Sequence, residues 1–300
     1  MKTNVTFDSA GLKLAGHLYL PDSELVGPGP AIVVGHPGSS VKEQASGLYA
    51  RLLAERGYIT LAFDAAFQGE SEGMPRGLED PAHRVEDIKA AVSYLATRAD
   101  VDPARIGALG ICASGGYVIP AAAADHRIKA VASVCPVDIN LHFRRGADGK
   151  LDPGVFQGLL DRAAQARTAQ ARGEGVATFP LFPTEAQARA GDRYHFEGWE
   201  YYCTDRAQHP RSTKEMPWVS VDYIACFDAF RFIDTITPRP LLMIAGREAA
   251  TSWMAVDAIA RAHEPKELVW IDGASHNDLY DKRQYVDPAV SRIGDFFRVL

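Results

Sequence analysis

Residues 104–124 constrain the fold of this chain more than any other stretch. They read Ala-Arg-Ile-Gly-Ala-Leu-Gly-Ile-Cys-Ala-Ser-Gly-Gly-Tyr-Val-Ile-Pro-Ala-Ala-Ala-Ala. The first part is a buried strand, apolar at Ile106, Ala108 and Leu109, with no charge after Arg105. It passes through Gly110, Ser114, Gly115 and Gly116 into an alanine-rich helix. A side chain at such a strand-to-helix turn stands above the sheet, and the helix N-terminus points free N–H groups at it. The turn is tight and strained, so the positions two before and two after that residue must be small. Centred on Cys112 the pattern is Gly110-x-Cys112-x-Ser114; centred on Ser114 it is Cys112-x-Ser114-x-Gly116. The first register is preferred, because it puts glycine at the strand exit. A cysteine that is simply a small apolar residue under a Gly-rich loop is the plainer alternative.

The rest of the chain supplies a matching rhythm. Val5–Asp8 and Leu12–Leu20 alternate as a hairpin across Ser9-Ala10-Gly11, and a Pro/Gly loop follows over Pro21–Pro30. Ala31–Gly35 is a buried strand ending in His36-Pro37-Gly38-Ser39-Ser40. A helix is expected over Val41–Arg56, with Leu48, Leu52 and Leu53 on one face and Gly57 as its stop. Tyr58–Phe63 is the next strand, and Asp64 opens a Gly-rich loop. Asp80 reads as an N-cap with Pro81 at the first helical position, before a stripe of Val85, Ile88, Val92 and Leu95. After the central motif, Ile128–Cys135 is a strand ending at Asp138. The rhythm resumes with a strand at Leu241–Ala245, a helix at Ser252–Ala262, a strand at Glu267–Ile271 and a last helix bearing Val290, Ile293, Phe296 and Phe297. Strands alternating with helices in this way predict an α/β, doubly wound, mostly parallel sheet with an N-terminal antiparallel hairpin.

The rhythm breaks over 140–235. That stretch holds a helix-forming run, Val155–Arg172, and then a crowd of rings: Phe179, Phe182, Tyr194, Phe196, Trp199, Tyr201, Tyr202, Trp218 and Tyr223. Residues 1–139 and 236–300 are therefore expected to form the core, and 140–235 a helical cap insertion, since a connection this long in an α/β sheet usually serves a site. Composition sets further bounds. The chain has 300 residues and is 47% hydrophobic, ample for a sizeable core, and its net charge of −6 argues against nucleic acid or an anionic membrane as partner. No apolar run approaches membrane-spanning length. Four cysteines, Cys112, Cys135, Cys203 and Cys226, lack metal-like spacing, so reduced thiols and a cytoplasmic setting are expected, with no metal and no cofactor.

The Gly110-x-Cys112-x-Ser114 turn resembles the nucleophile elbow of the α/β-hydrolase superfamily. With cysteine where serine is usual, it is similar to the dienelactone-hydrolase-like and polyketide-transferase-like branch. The resemblance spans essentially the whole chain, with 140–235 its least transferable part. It implies a cysteine nucleophile, Cys112, and a late histidine, His276, in the loop Asp272-Gly273-Ala274-Ser275-His276 after the last strand. His36 is the rival base, in the loop where the family starts its oxyanion hole. The implied oxyanion donors are the backbone N–H groups of Gly38, with Ser39 as alternative, and of Ala113. The family usually places an aspartate after the strand matching Leu241–Ala245. Here the loop reads Gly246-Arg247-Glu248-Ala249-Ala250-Thr251, so Glu248 is the expected acid and Asp138 the alternative. Asp64 matches a loop-bracing aspartate.

These residues imply a hydrolase of an ester, lactone or thioester, working through a covalent S-acyl-cysteine on an apolar small-molecule acyl substrate. Two rivals stand beside it: an acyltransferase passing the acyl group to an alcohol or thiol, and a non-catalytic binding protein on the same scaffold. The first rests on the ease with which an S-acyl group exchanges, the second on the absent aspartate. A homodimer is left open.

Overall fold

The computed structural model describes residues 1–22 and 27–300. Residues 23–26 of the loop expected over 21–30 lie outside them. β1 (Lys2–Ser9) and β2 (Leu12–Tyr19) pair antiparallel from Lys2↔Tyr19 to Ser9↔Leu12. Their two-residue loop, Ala10-Gly11, has φ of 44° and 85°, the left-handed pair that matches strand twist. β3 (Gly29–Gly35), α1 (Ala45–Ala54), β4 (Ile59–Phe63), α2 (Pro81–Ala96), β5 (Val101–Ile111), α3 (Ala113–Ala124) and β6 (Ile128–Val134) follow. Then come α4 (Ile139–Arg145), α5 (Pro153–Ala171), β7 (Thr178–Pro180), α6 (Glu185–Ala190), α7 (Arg193–Cys203), β8 (Glu215–Pro217) and α8 (Ser220–Ala225). The chain closes with β9 (Leu241–Gly246), α9 (Ser252–Arg261), β10 (Lys266–Ile271), α10 (Asp278–Asp281) and α11 (Arg283–Phe296).

Eight strands form one sheet in the order β1-β2-β4-β3-β5-β6-β9-β10. The β1–β2 and β2–β4 pairs are antiparallel and the rest are parallel. The expected doubly wound sheet with its N-terminal hairpin is what forms. Period-two alternation splits each central strand between two cores. Ala31 and Val33 of β3 face Ile88, Val92 and Tyr117, whereas Ile32 and Val34 face Tyr49, Leu53 and Ile293. β4 lies on one side of β3 and β5 on the other, so the strand order reverses at β3. The loops leaving β3 and β5 therefore meet at their C-terminal ends, where open α/β sheets bind ligands.

Local signals account for most element ends. The Asp80 side chain accepts from the N–H groups of Ala82 and His83, with Pro81 opening α2. Two elements differ from expectation. β5 starts at Val101 rather than near Ile106, because Val101 pairs with Gly29 ahead of a register shift. α1 starts at Ala45 rather than Val41. Side chains hold 40–44 as a loop instead: Gln44 Oε1 accepts from Ser40 Oγ and the Val41 N–H, and the Lys42 N–H donates to Asp64. Between β6 and β9, β7 and β8 pair as a separate two-stranded sheet. Some rings of this stretch serve packing, such as Tyr201 edge-on to Tyr280 at 5.0 Å and Phe179 tilted on Trp218 at 4.4 Å. Among the described residues no helix is long and apolar enough to cross a membrane.

Candidate active site

Cys112 sits between the last residue of β5 and the first of α3 with φ 55° and ψ −117°. A non-glycine residue in this region carries strain of about 1–3 kcal/mol. The surrounding backbone holds it there: its N–H donates to Val134 O, and its carbonyl accepts from the Gly115 and Val137 N–H groups, all within 3.0 Å. Gly110 is needed because the helix folds back over the strand. A Cβ on it would lie 2.0 Å from the Ser114 carbonyl oxygen. The side chains of the two registers diverge. Ser114 is buried and donates its hydroxyl to His36 O at 2.6 Å, while Cys112 lines the cavity above the sheet.

The loop after β3 is braced from below. His36 is buried; its Nδ1–H donates to Pro37 O at 2.6 Å, and its Nε2 accepts from the Ala65 N–H at 3.0 Å and Arg84 Nη1 at 2.8 Å. Burial first, then the Arg84 charge, holds its pKa well below the ordinary histidine value. Both ring nitrogens are thus engaged in fixing the loop, which leaves His36 no part as a base. Arg84 is itself paired, its Nε 3.0 Å from Glu79, which also accepts from Tyr117 Oη. The loop so held brings Gly38 to the cavity that Cys112 and Ala113 line, and the Gly38 and Ala113 N–H groups favour the thiolate. Ser39 turns its carbonyl to Ser212 Oγ.

His276 follows the loop after β10 and is buried. Its Nδ1 lies 2.6 Å from Thr251 Oγ1 and its Nε2 2.9 Å from Tyr280 Oη. Tyr280 lines the same cavity as Cys112. Burial, with a smaller push from His142, lowers the His276 pKa to about 3. Burial raises that of Cys112, opposed by Tyr280, the two N–H groups and the Arg84 charge. The resting pair is therefore a neutral imidazole and a protonated thiol at neutral pH.

The two carboxylates expected to orient His276 lie elsewhere. Glu248 is half exposed and pairs with Arg193 Nη1 of α7 at 2.5 Å. Asp138 caps α4: one oxygen accepts from the N–H groups of Asn140 and Leu141, the other from that of Ala229. Neither makes a hydrogen bond to His276. Thr251, the last residue of the Gly246–Thr251 loop, occupies the place of the acid. Thr251 and Tyr280 were missed by sequence reasoning; the available signals were a hydroxyl residue directly before α9 and a tyrosine four residues beyond His276. Asp64, beneath the loops, accepts from the Lys42 N–H and Nζ and from the Glu70 N–H.

Cys112, His276 and Tyr280 open on a cavity of about 180 Å³ whose walls include Val137, Ile139, Leu181, Phe182 and Met216. A second, outer hollow of about 610 Å³ shares His142, Phe143, Tyr194 and His195 with it. Most of these wall residues come from the stretch between β6 and β9. Among the described residues no cluster of three or more His, Cys, Asp or Glu side chains could hold a metal.

The chain is similar to several known proteins. The sequence profile of the family described as X-Pro dipeptidyl-peptidase (S15 family) matches residues 10–210. The YcjY protein of Escherichia coli K12 is 37% identical over 302 residues, 99% of this chain and 98% of its own length. The crystal structure of PA2218 from Pseudomonas aeruginosa superposes with a TM-score of 0.93 at 35% identity, covering 99% of this chain and 93% of that one. The thiohydrolase aneE of Aspergillus aculeatus is 29% identical over 285 residues, 90% of this chain and 84% of its own.

Proposed function

The chain belongs to the X-Pro dipeptidyl-peptidase (S15) family of α/β hydrolases, and from that premise we propose that it cleaves a thioester, or an activated ester, of an apolar acyl group through an S-acyl-Cys112 intermediate. One observation carries the reading. The strained elbow presents a thiol beside two N–H donors, and the histidine of the site meets a hydroxyl, Thr251, where a carboxylate would stabilise imidazolium. With no carboxylate to stabilise it, the imidazolium that would carry a proton to the leaving group is costly to form. Amide cleavage expels an amine that must be protonated, and ester cleavage an alkoxide. A departing thiolate, whose parent thiol has a pKa of roughly 8.5, needs far less help. The family's name notwithstanding, this favours thioesters over peptides, in keeping with the thiohydrolase name of one relative.

In this mechanism the Cys112 sulfur attacks the carbonyl carbon, and the Gly38 and Ala113 N–H groups hold the oxygen as it gains charge. His276 takes the thiol proton. The leaving thiolate departs, and water then releases the acyl group. The stretch 140–235 acts as a cap that excludes solvent. A cavity of about 180 Å³ is small beside ligand pockets of roughly 300–1,000 Å³, so a short acyl group, or the head of a longer one, fits. The outer hollow favours a second reading, transfer of the acyl group to an alcohol or thiol seated there. The test is incubation with a short-chain acyl thioester and mass spectrometry of the quenched protein. An acyl adduct on Cys112, lost in Cys112→Ala together with turnover, is expected. An adduct on another residue, or full turnover by Cys112→Ala, overturns the reading. Product partition with added thiol or alcohol decides between hydrolysis and transfer.

A further inference from the structure

Among the described residues no direct hydrogen bond joins Cys112 to His276. The imidazole Nε2 meets Tyr280 Oη at 2.9 Å, and Tyr280 lines the same cavity as the Cys112 thiol, so the hydroxyl covers the one ring nitrogen left free by Thr251. Tyr280 is buried on α10, and its ring is gripped edge-on by Tyr201 at 5.0 Å and His276 at 5.4 Å. The helix is itself pinned, since Tyr49 donates its hydroxyl to Leu279 O at 2.7 Å. The hydroxyl thus has a fixed position on Nε2 inside the cavity that Cys112 lines and, among the described residues, no other hydrogen-bond partner.

We propose that Tyr280 is a catalytic residue, a proton relay through which the Cys112 thiol reaches His276. The inference rests on the thiol mechanism proposed above. In the tautomer that donates Nδ1–H to Thr251 Oγ1, Nε2 has a free lone pair aimed at the tyrosine. The thiol passes its proton to Tyr280 Oη while Oη passes its own to Nε2. The sulfur pair forms the S–C bond, and the carbonyl oxygen receives the displaced pair. Tyr280 ends the step with one proton, as it began. On collapse the carbon–leaving-group bond breaks, and the imidazolium proton returns along the same path to the leaving group. A free phenolate is not required, and burial disfavours one strongly. The relay also explains how a half-buried thiol with a raised pKa and a neutral partner is activated only as it attacks.

The experiment is pre-steady-state acylation of wild type and Tyr280→Phe by the same thioester, in H₂O and D₂O mixtures. Phenylalanine keeps the ring that Tyr201 and His276 grip, and circular dichroism and the urea midpoint check the fold. The acylation rate is expected to fall about 100-fold, within the range typical of general acid–base groups, with KM changed less than about twofold. The wild-type rate should curve with deuterium fraction, as two protons in flight require, and become linear in the variant. Unchanged or faster acylation by Tyr280→Phe would make the tyrosine a mere spacer and overturn the relay. A linear wild-type dependence overturns it without any variant, which covers the case in which Tyr280→Phe does not fold. Acylation on Cys112 in these outcomes leaves the proposed function standing. Absence of a Cys112 adduct in wild type removes that function and the relay together.

Discussion

Replacing Thr251 by aspartate restores a charge that this site lacks. His276 Nδ1 lies 2.6 Å from Thr251 Oγ1, so an aspartate at 251 brings a carboxylate oxygen to about 3 Å from the ring. At an effective dielectric constant of about 20 the Coulomb attraction to imidazolium is roughly 5 kcal/mol, an upper figure that desolvation of the new carboxylate reduces. Adjacent opposite charges typically shift a pKa by about 1–3 units. Starting from about 3, that places His276 between about 4 and 6. Conversion of thiol and imidazole into thiolate and imidazolium becomes about tenfold more favourable per unit, so the ion pair rises roughly 10- to 1,000-fold. The assay is the second-order rate of iodoacetamide alkylation at Cys112 at pH 7, expected to rise at least about tenfold. Thr251→Asn, neutral and close in shape, should stay within about twofold of wild type. The sign of the pH effect is equally definite. His276 must be unprotonated to act as base, so raising its pKa moves the acid limb of kcat/KM upward. Wild type should keep its activity down to about pH 4, whereas Thr251→Asp should already lose some at pH 5. An alkylation rate within twofold of wild type and an unmoved acid limb, in a folded Thr251→Asp protein, would refute the reasoning.

Glu248→Gln should leave kcat within about twofold, because its half-exposed pair with Arg193 contributes at most about 1 kcal/mol and does not reach His276; a tenfold loss in steady-state assays would reinstate Glu248 as the acid. Cys112→Ser should lower kcat for the thioester at least about 100-fold, since an alcohol leans far more on its base than a thiol does, and adding Thr251→Asp should recover part of that loss. Recovery by neither variant alone nor both together would argue against the base assignment. Lys42→Met should cost about 3–5 kcal/mol in urea unfolding, because Lys42 Nζ lies 2.8 Å from the fully buried Asp64 carboxylate and 2.9 Å from Glu43. A loss below about 1 kcal/mol would show that the buried aspartate finds another partner.

The sheet was legible in the chain because its signals are local. The continuous apolar run Ala31–Gly35, the Asp80-Pro81 cap and the Gly110 exit each depend on neighbours within a few residues, and each formed where its residues stand. The elbow was legible for the same reason: steric room for Cys112 is set by Gly110 and by the turn that carries it. The surroundings of His276 are a different matter. Glu248 and Thr251 share one loop, and no periodicity says which of them faces the imidazole. Arg193, 55 residues before Glu248 on α7, draws that carboxylate outward, while the path from β9 into α9 turns the Thr251 hydroxyl inward. Tyr280 reaches His276 Nε2 from a short helix that Tyr49 and Tyr201, far upstream, hold in place. The sequence by itself determined the strand order's raw material, the sharp turn at Cys112 and the lateness of His276, all short-range consequences of backbone sterics and side-chain period. Which hydroxyls complete the site, and which carboxylates stay out of it, was decided by tertiary packing, because hydrogen-bond partners a few ångströms apart in space are set by contacts between segments far apart in the chain.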